Sequence, residues 1–323
     1  MVAYHKLLLP LVVCLVALLT AHARPTLEAR KQENSYWTED NRERFLEWRR
    51  EELMKNLQEH QSWINMPEAW TCPARMIPAF LSLTVPAAGT KSTLIQEKLR
   101  EYEKLTSGDN GGNSKDIYRV TRNFQLADNS VCRAKDNYIV KLVDISSSDE
   151  GKVASCEPYA LEELGIWHRT GTWHDERSRT VYGAILIKQE PGKQLRDDQL
   201  WINASPEEKQ KLLKSIRKTT KKKLHTYAFK TSTNVADRIM AYDISNENVP
   251  VDFEEGQSGL EVKGVAFKSW EYSKTVTCKS KQNLKDAGFS GWFDRQFDLY
   301  WALEYEEAGI PTVVDEFKRK IGH

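Results

Sequence analysis

Apolar positions change their period several times along the chain, and each change marks an element. From Leu7 to Leu19 they are nearly continuous, a run shorter than the roughly 20 residues that a membrane-spanning helix needs. After Thr38, whose hydroxyl suits a helix N-cap, Phe45, Leu46, Leu53, Met54 and Leu57 recur at helical intervals, which predicts an amphipathic packing helix. Pro67, Pro73, Pro78 and Pro86 then interrupt regular structure. A second helix is expected from about Ser92 to Leu105, and the polar, glycine-bearing stretch Ser107 to Ser114 reads as a linker.

Beyond that stretch the pattern is that of strands. Ile117 to Phe124 alternates, Asp128 to Ser130 is a turn, and Tyr138 to Ile145 is a β-rich run with Lys141 inside it. Ser155 to Gly165 reads as a short helix with a serine cap, a first-turn proline and a glycine stop; it places Glu157 near its start and Ala160, Leu161 and Leu164 on one face. Thr180 to Lys188 is an apolar strand feeding the Gln189 to Gln194 connector, which holds Pro191 and Gly192. Ser205 to Glu208 is a capping box with Pro206 at the first helical position, and Leu212, Leu213, Ile216 and Leu224 carry an apolar stripe toward His225. A hairpin is expected from Val249 to Phe253 and Leu260 to Phe267, joined by Glu254 to Gly259. Trp292, Phe293, Phe297, Tyr300 and Trp301 dominate the stretch from Asn283 to Tyr305, as aromatic packing in a helical lobe.

Composition changes the picture in two places. Lys6, the apolar run and the small residues Ala21 and Ala23 make residues 1–23 a secretory signal peptide, so the mature chain is expected to be secreted, extracellular and without a membrane span. Cys14 leaves with the leader; Cys72, Cys132, Cys156 and Cys278 remain, and one or two disulfides are expected without a choice among pairings. The second place is charge. Of 47 basic and 46 acidic residues the leader removes only Lys6, and 46 against 46 implies no polyelectrolyte partner, so no nucleic acid is expected. The one basic run, Arg217 to Lys223, lies in a helical pattern and reads as a solvated face. His168 and His174 flank Trp173 with Asp175 nearby, but no third ligand has suitable spacing for a metal site.

The candidate chemistry centres on Asp243 and Asn248. An Asp followed five residues later by an Asn, then an alternating apolar run, has the spacing of a phosphotransfer catalytic loop. Together with the Lys141 strand, the Glu157 helix, the strand and connector through Gln194 and the capped helix, it resembles the protein-kinase-like proteins common in fungi, over roughly residues 117–270. The resemblance implies an α+β, two-lobed protein-kinase-like fold. Residues 24–110 would form an N-terminal helical extension and residues 111–323 the kinase-like domain, with a small β-rich lobe over about 111–190 and a larger helical lobe over about 195–323. By position, Lys141 is similar to the strand lysine that binds nucleotide phosphates, Glu157 to the helix glutamate that pairs with it, Asp243 to the catalytic base and Asn248 to a metal ligand. ATP and Mg²⁺ are the cofactors so implied.

The chain departs from that family in three ways. Ala241 and Tyr242 stand at the His and Arg positions ahead of the Asp, and no glycine-rich loop lies between Ile117 and Val140. Ala266 stands where the second metal-binding Asp belongs. The reading is therefore a secreted pseudokinase with a degraded catalytic set, acting through a protein partner or residual nucleotide binding. Two alternatives stay open: an active atypical ATP-dependent phosphotransferase in which Glu247 or Glu261 holds the metal, and a secreted effector or structural protein with no ligand.

Overall fold

Helices and strands share an α+β chain that divides into two compact units, Met1–Glu51 and Glu52–His323. The computed structural model describes residues 36–65, 102–104, 114–120, 123–125, 131–144, 168–175, 180–188, 190–229, 239–256, 259–268, 274–276, 280–310 and 313–322, with residues 157, 160, 161, 164, 166 and 278 singly. Residues 1–23, expected to be a signal peptide, lie outside these, as do Cys72, Cys156 and the proline-rich stretch. Among the described residues no helix is long and apolar enough to cross a membrane.

In the first unit the helix expected after Thr38 is present as α1 (Glu39–Glu59), which continues into the second. Thr38 Oγ1 accepts the Asn41 amide at 3.2 Å, the N-cap its residue type suggests. Trp37 and Trp48 both pack against Phe45, with centroids at 5.3 and 5.8 Å.

In the second unit β1 (Ile64–Asn65) is followed by β2 (Tyr102–Lys104), β3 (Ser114–Val120), the short pair β4 (Phe124–Gln125) and β5 (Val131–Cys132), then β6 (Tyr138–Asp144), β7 (His168–Asp175) and β8 (Thr180–Lys188). Strands β2, β3, β6, β8 and β7, in that order, form one antiparallel five-stranded sheet. The two runs expected as strands around residues 138–145 and 181–188 are thus immediate neighbours. Alternation along β6 sorts its side chains. Tyr138, Val140 and Leu142 join Val120, Cys132, Tyr182, Ala184 and Leu186 in a cluster of their own. Ile139, with Ile185 and Ile187 of β8, faces the main core, where Ala160, Leu161 and Leu164 also pack. Lys141 falls on this second face.

The helix expected to end at Leu105 is corrected where it is described, because Tyr102–Lys104 is a strand paired with Tyr118–Val120. The stretch read as a linker consequently joins two antiparallel neighbours, and the sheet begins ahead of residue 111.

After the connector come α2 (Gln199–Asn203), α3 (Pro206–Tyr227) and β9 (Ile239–Met240). Ser205 and Glu208 form the expected reciprocal capping box at the start of α3. The hairpin of β10 (Val251–Gly256) and β11 (Gly259–Val265) is longer than its sequence suggests. Glu254, Glu255 and Gly256 pair with Glu261, Leu260 and Gly259, so most of the expected connecting turn is strand. Strand β12 (Lys274–Val276) lies between β1 and β9 in a three-stranded sheet. Among the described residues that follow are the helices α4 (Lys281–Asp286), α5 (Phe289–Tyr300), α6 (Ala302–Glu307) and α7 (Val313–Lys320). Phe289, Trp292, Phe293, Phe297 and Trp301 are buried in the main core, as the aromatic pattern implies.

The basic run on α3 is more engaged than a solvated face. Arg217 bridges Asp294 and Asp298, and Lys221 pairs with Asp294, tying α3 to α5. Cys132 is a buried thiol whose pKa is pushed up to about 12 by burial and by Asp136, which makes it unreactive at neutral pH.

Candidate functional site

A lysine on an inward face of a sheet is costly unless its charge is met. At Lys141 it is met at close range: the ammonium lies 2.8 Å from Glu157 Oε1 and 2.6 Å from Oε2, with only 4% and 0% of the two side chains exposed. Glu157, Ala160 and Leu161 are helical, and the Leu164 amide donates to the Ala160 carbonyl at 3.0 Å. Burial of Ala160, Leu161 and Leu164 in the core holds this short helix with its acidic start toward the sheet. The Ser155 cap and Pro158 lie outside the described residues.

The connector after β8 is stitched to the Asp243–Asn248 loop by backbone. Lys193 and Val251 exchange amide hydrogen bonds of 3.0 and 2.8 Å, and the Gln194 side chain donates to the Glu247 carbonyl at 3.0 Å. Gly192, at φ +130°, makes the approach feasible, since a Cβ there would meet Pro250 and Val251 at 3.1 Å. Glu190 accepts from Lys223 at 2.6 Å and from the Tyr227 hydroxyl at 3.1 Å, and Lys223 also donates to the Val265 carbonyl at 2.6 Å. One acid thus joins the connector, helix α3 and the hairpin.

The loop itself is a built turn. Asp243 Oδ1 accepts the Ser245 amide at 3.0 Å, and the Ser245 carbonyl accepts from Asn248 and Val249 at 3.0 and 2.9 Å. Beneath it, Trp301 Nε1 donates to the Ile244 carbonyl at 2.8 Å, and Asn246 donates to Glu304. Ala241 and Tyr242 are buried, and burial pushes the Tyr242 phenol above its ordinary range. Asp243 and Asn248 remain partly exposed.

Past β11 the antiparallel register continues into the segment that matters most. The Ala266 amide donates to the Pro250 carbonyl and the Lys268 amide to the Asn248 carbonyl, both at 2.9 Å. Ala266 is buried and contributes a methyl where a metal carboxylate is expected. Lys268 stands directly across from Asn248, and side chains opposed in this way share a face. Its pKa is lowered, first by burial; Asp197 and Glu247 act against that, while Arg196 and Lys141 add to it. Lys268 is the residue that pattern reading missed. It carried no motif, and only the ladder register puts it opposite Asn248.

Mg²⁺ needs carboxylate oxygens at close to octahedral geometry. Asn248 is an amide, Ala266 has no donor, and Lys268 sets a cation beside them, so this donor set does not fit the metal. Glu261 is paired with Glu254 along the hairpin, away from Ala266, whereas Glu247 adjoins Asn248 and lies 3.7 Å from Arg196. Among the described residues no group of three metal-ligating side chains is present. The side chains of His168, His174 and Asp175 lie outside the described residues.

The class that the fold defines is an α+β protein with a buried Lys–Glu pair on its five-stranded sheet and, separately in the chain, a hydrogen-bonded Asp–Asn loop. The chain matches no known protein-family model, and no curated protein is similar to it.

Proposed function

We propose that this chain is a secreted, protein-kinase-like protein that binds a nucleotide in a degraded site, and acts through binding, with a protein partner, in place of phosphoryl transfer. The observation that carries the reading is the buried Lys141–Glu157 pair. In kinases a strand lysine orients the α- and β-phosphates and a helix glutamate holds the lysine. Here the lysine lies on the third strand of a five-stranded sheet, and the glutamate lies between that strand and the next in sequence. Support also comes from the connector, which leads from the sheet to the Asp243 loop. Loss of catalysis follows from the donor set, since charge neutralisation by metal is most of what phosphoryl transfer requires and Ala266 supplies no ligand.

A thermal melt with ATP, ADP and adenosine tests the pocket, because a ligand that binds only the folded state must raise the melting temperature. ATP is expected to stabilise, with no transfer to a general protein acceptor. Turnover at an ordinary kinase rate, on the order of 1 to 100 per second, would overturn the binding-only reading in favour of an active phosphotransferase in which Glu247 holds metal. Absence of any nucleotide effect would leave a secreted effector without a ligand.

A further inference from the structure

Three candidates outside the assigned roles present themselves: the Glu190, Lys223 and Tyr227 junction, the buried Cys132 thiol, and the Lys268 ammonium. The junction is internally satisfied and the thiol is shielded. Lys268 differs from both. Its backbone is pinned to Asn248, it is half-buried, and among the described residues none forms an ion pair with its ammonium. Burial lowers its pKa, and the Lys141 charge is among those that add to that lowering. The Lys141 charge is balanced by Glu157, and Arg196 pairs with Glu247. Asp197 is the remaining acid that acts on Lys268, and it makes no ion pair with it.

We propose that Lys268 takes over the charge role of the missing metal, so that the site binds the phosphate chain of a nucleoside di- or triphosphate without a divalent cation. This rests on the nucleotide-binding reading above and gives it a mechanism. A bound phosphate chain would be held between the Lys141 and Lys268 ammoniums, each able to donate charge-assisted hydrogen bonds. A divalent ion on Asn248 would instead face the Lys268 ammonium, and like charges a few ångströms apart repel by several kcal/mol at an effective dielectric of about 20. The same substitution pattern explains both departures at once: the carboxylate at position 266 is absent, and a cation stands two residues later.

The test is a titration of the full mature chain with ATP, inorganic triphosphate and adenosine, each in EDTA and in excess Mg²⁺. ATP and triphosphate are expected to bind in EDTA, with no gain from Mg²⁺. Lys268→Met should weaken ATP in EDTA by about tenfold or more, the size of one hydrogen bond to a charged group, while Lys268→Arg retains most of the affinity and adenosine binding stays unchanged. A second variant, Ala266→Asp with Lys268→Gly, should convert ATP binding to Mg²⁺ dependence. Wild-type binding that requires Mg²⁺ overturns the role of Lys268 and leaves the nucleotide pocket standing, a result that does not depend on any variant folding. Failure of ATP and triphosphate to bind in either condition overturns both readings. Binding of triphosphate with no added contribution from the nucleoside upholds the cation site and overturns the nucleotide assignment.

Discussion

Lys141 and Glu157 meet in the interior, ammonium to carboxylate at 2.6 Å, although they lie 16 residues apart on a strand and a separate short helix. Removing one partner leaves the other charge buried alone. Glu157→Gln or Lys141→Met is therefore expected to cost about 3–5 kcal/mol, while the double change Lys141→Met with Glu157→Leu recovers much of that loss. Urea denaturation of the four proteins measures it. Single changes that cost under about 1 kcal/mol would show that the pair is hydrated.

A second relationship links the loop to the C-terminal helices. Trp301 donates to the Ile244 carbonyl at 2.8 Å and stacks on Phe297 with centroids 4.8 Å apart and an interplanar angle of 7°. Trp301→Phe keeps an aromatic ring for the stack but leaves a buried carbonyl without its donor, at an expected cost of about 1–3 kcal/mol. Hydrogen exchange at the Asn248 and Val249 amides should rise with it. Unchanged protection there would mean that the loop holds its shape without the indole.

Gly192 gives a backbone test. At φ +130° an L-residue is strained, and its Cβ would press on Pro250 and Val251 at 3.1 Å. Gly192→Ala is expected to destabilise by at least about 1 kcal/mol and to loosen the Lys193–Val251 pairing, read by amide exchange. A neutral effect would mean that the connector can relax away from the hairpin.

His225 makes stability depend on pH. Burial, with Lys281 and Lys285, holds its pKa below the ordinary 6.5, against a backbone hydrogen bond at Lys281 that raises it; the ring packs against Phe229 and Phe289. Since the folded-state pKa is depressed, the unfolded chain takes the proton first as pH falls. This stability is fully present above the ordinary value and lost as pH drops from there through the folded pKa. Melting temperatures between about pH 7.5 and 5 should fall for the native chain and fall less for His225→Phe. Equal slopes for the two proteins would assign the dependence to other groups.

Elements whose signals are local were legible in the sequence: the Ser205–Glu208 capping box and its helix, the Tyr138 and Thr180 strands, the aromatic face of α5, and the hairpin. Their determinants lie within a few residues, where propensity, capping and period act directly. Tertiary structure decided the rest. Tyr102–Lys104 became a strand because β3 offered an edge, and the glycine-bearing stretch before Ser114 shares its composition with linkers although it connects paired strands. The hairpin turn shortened because ladder pairing extended through Glu254, Glu255 and Gly256. Burial of Lys141 follows from which face of β6 meets the core, and the position of Lys268 across from Asn248 follows from register. Neither has a local signature. Both come from non-local contacts in which backbone pairing and burial of apolar faces select one alignment among many that the local pattern allows.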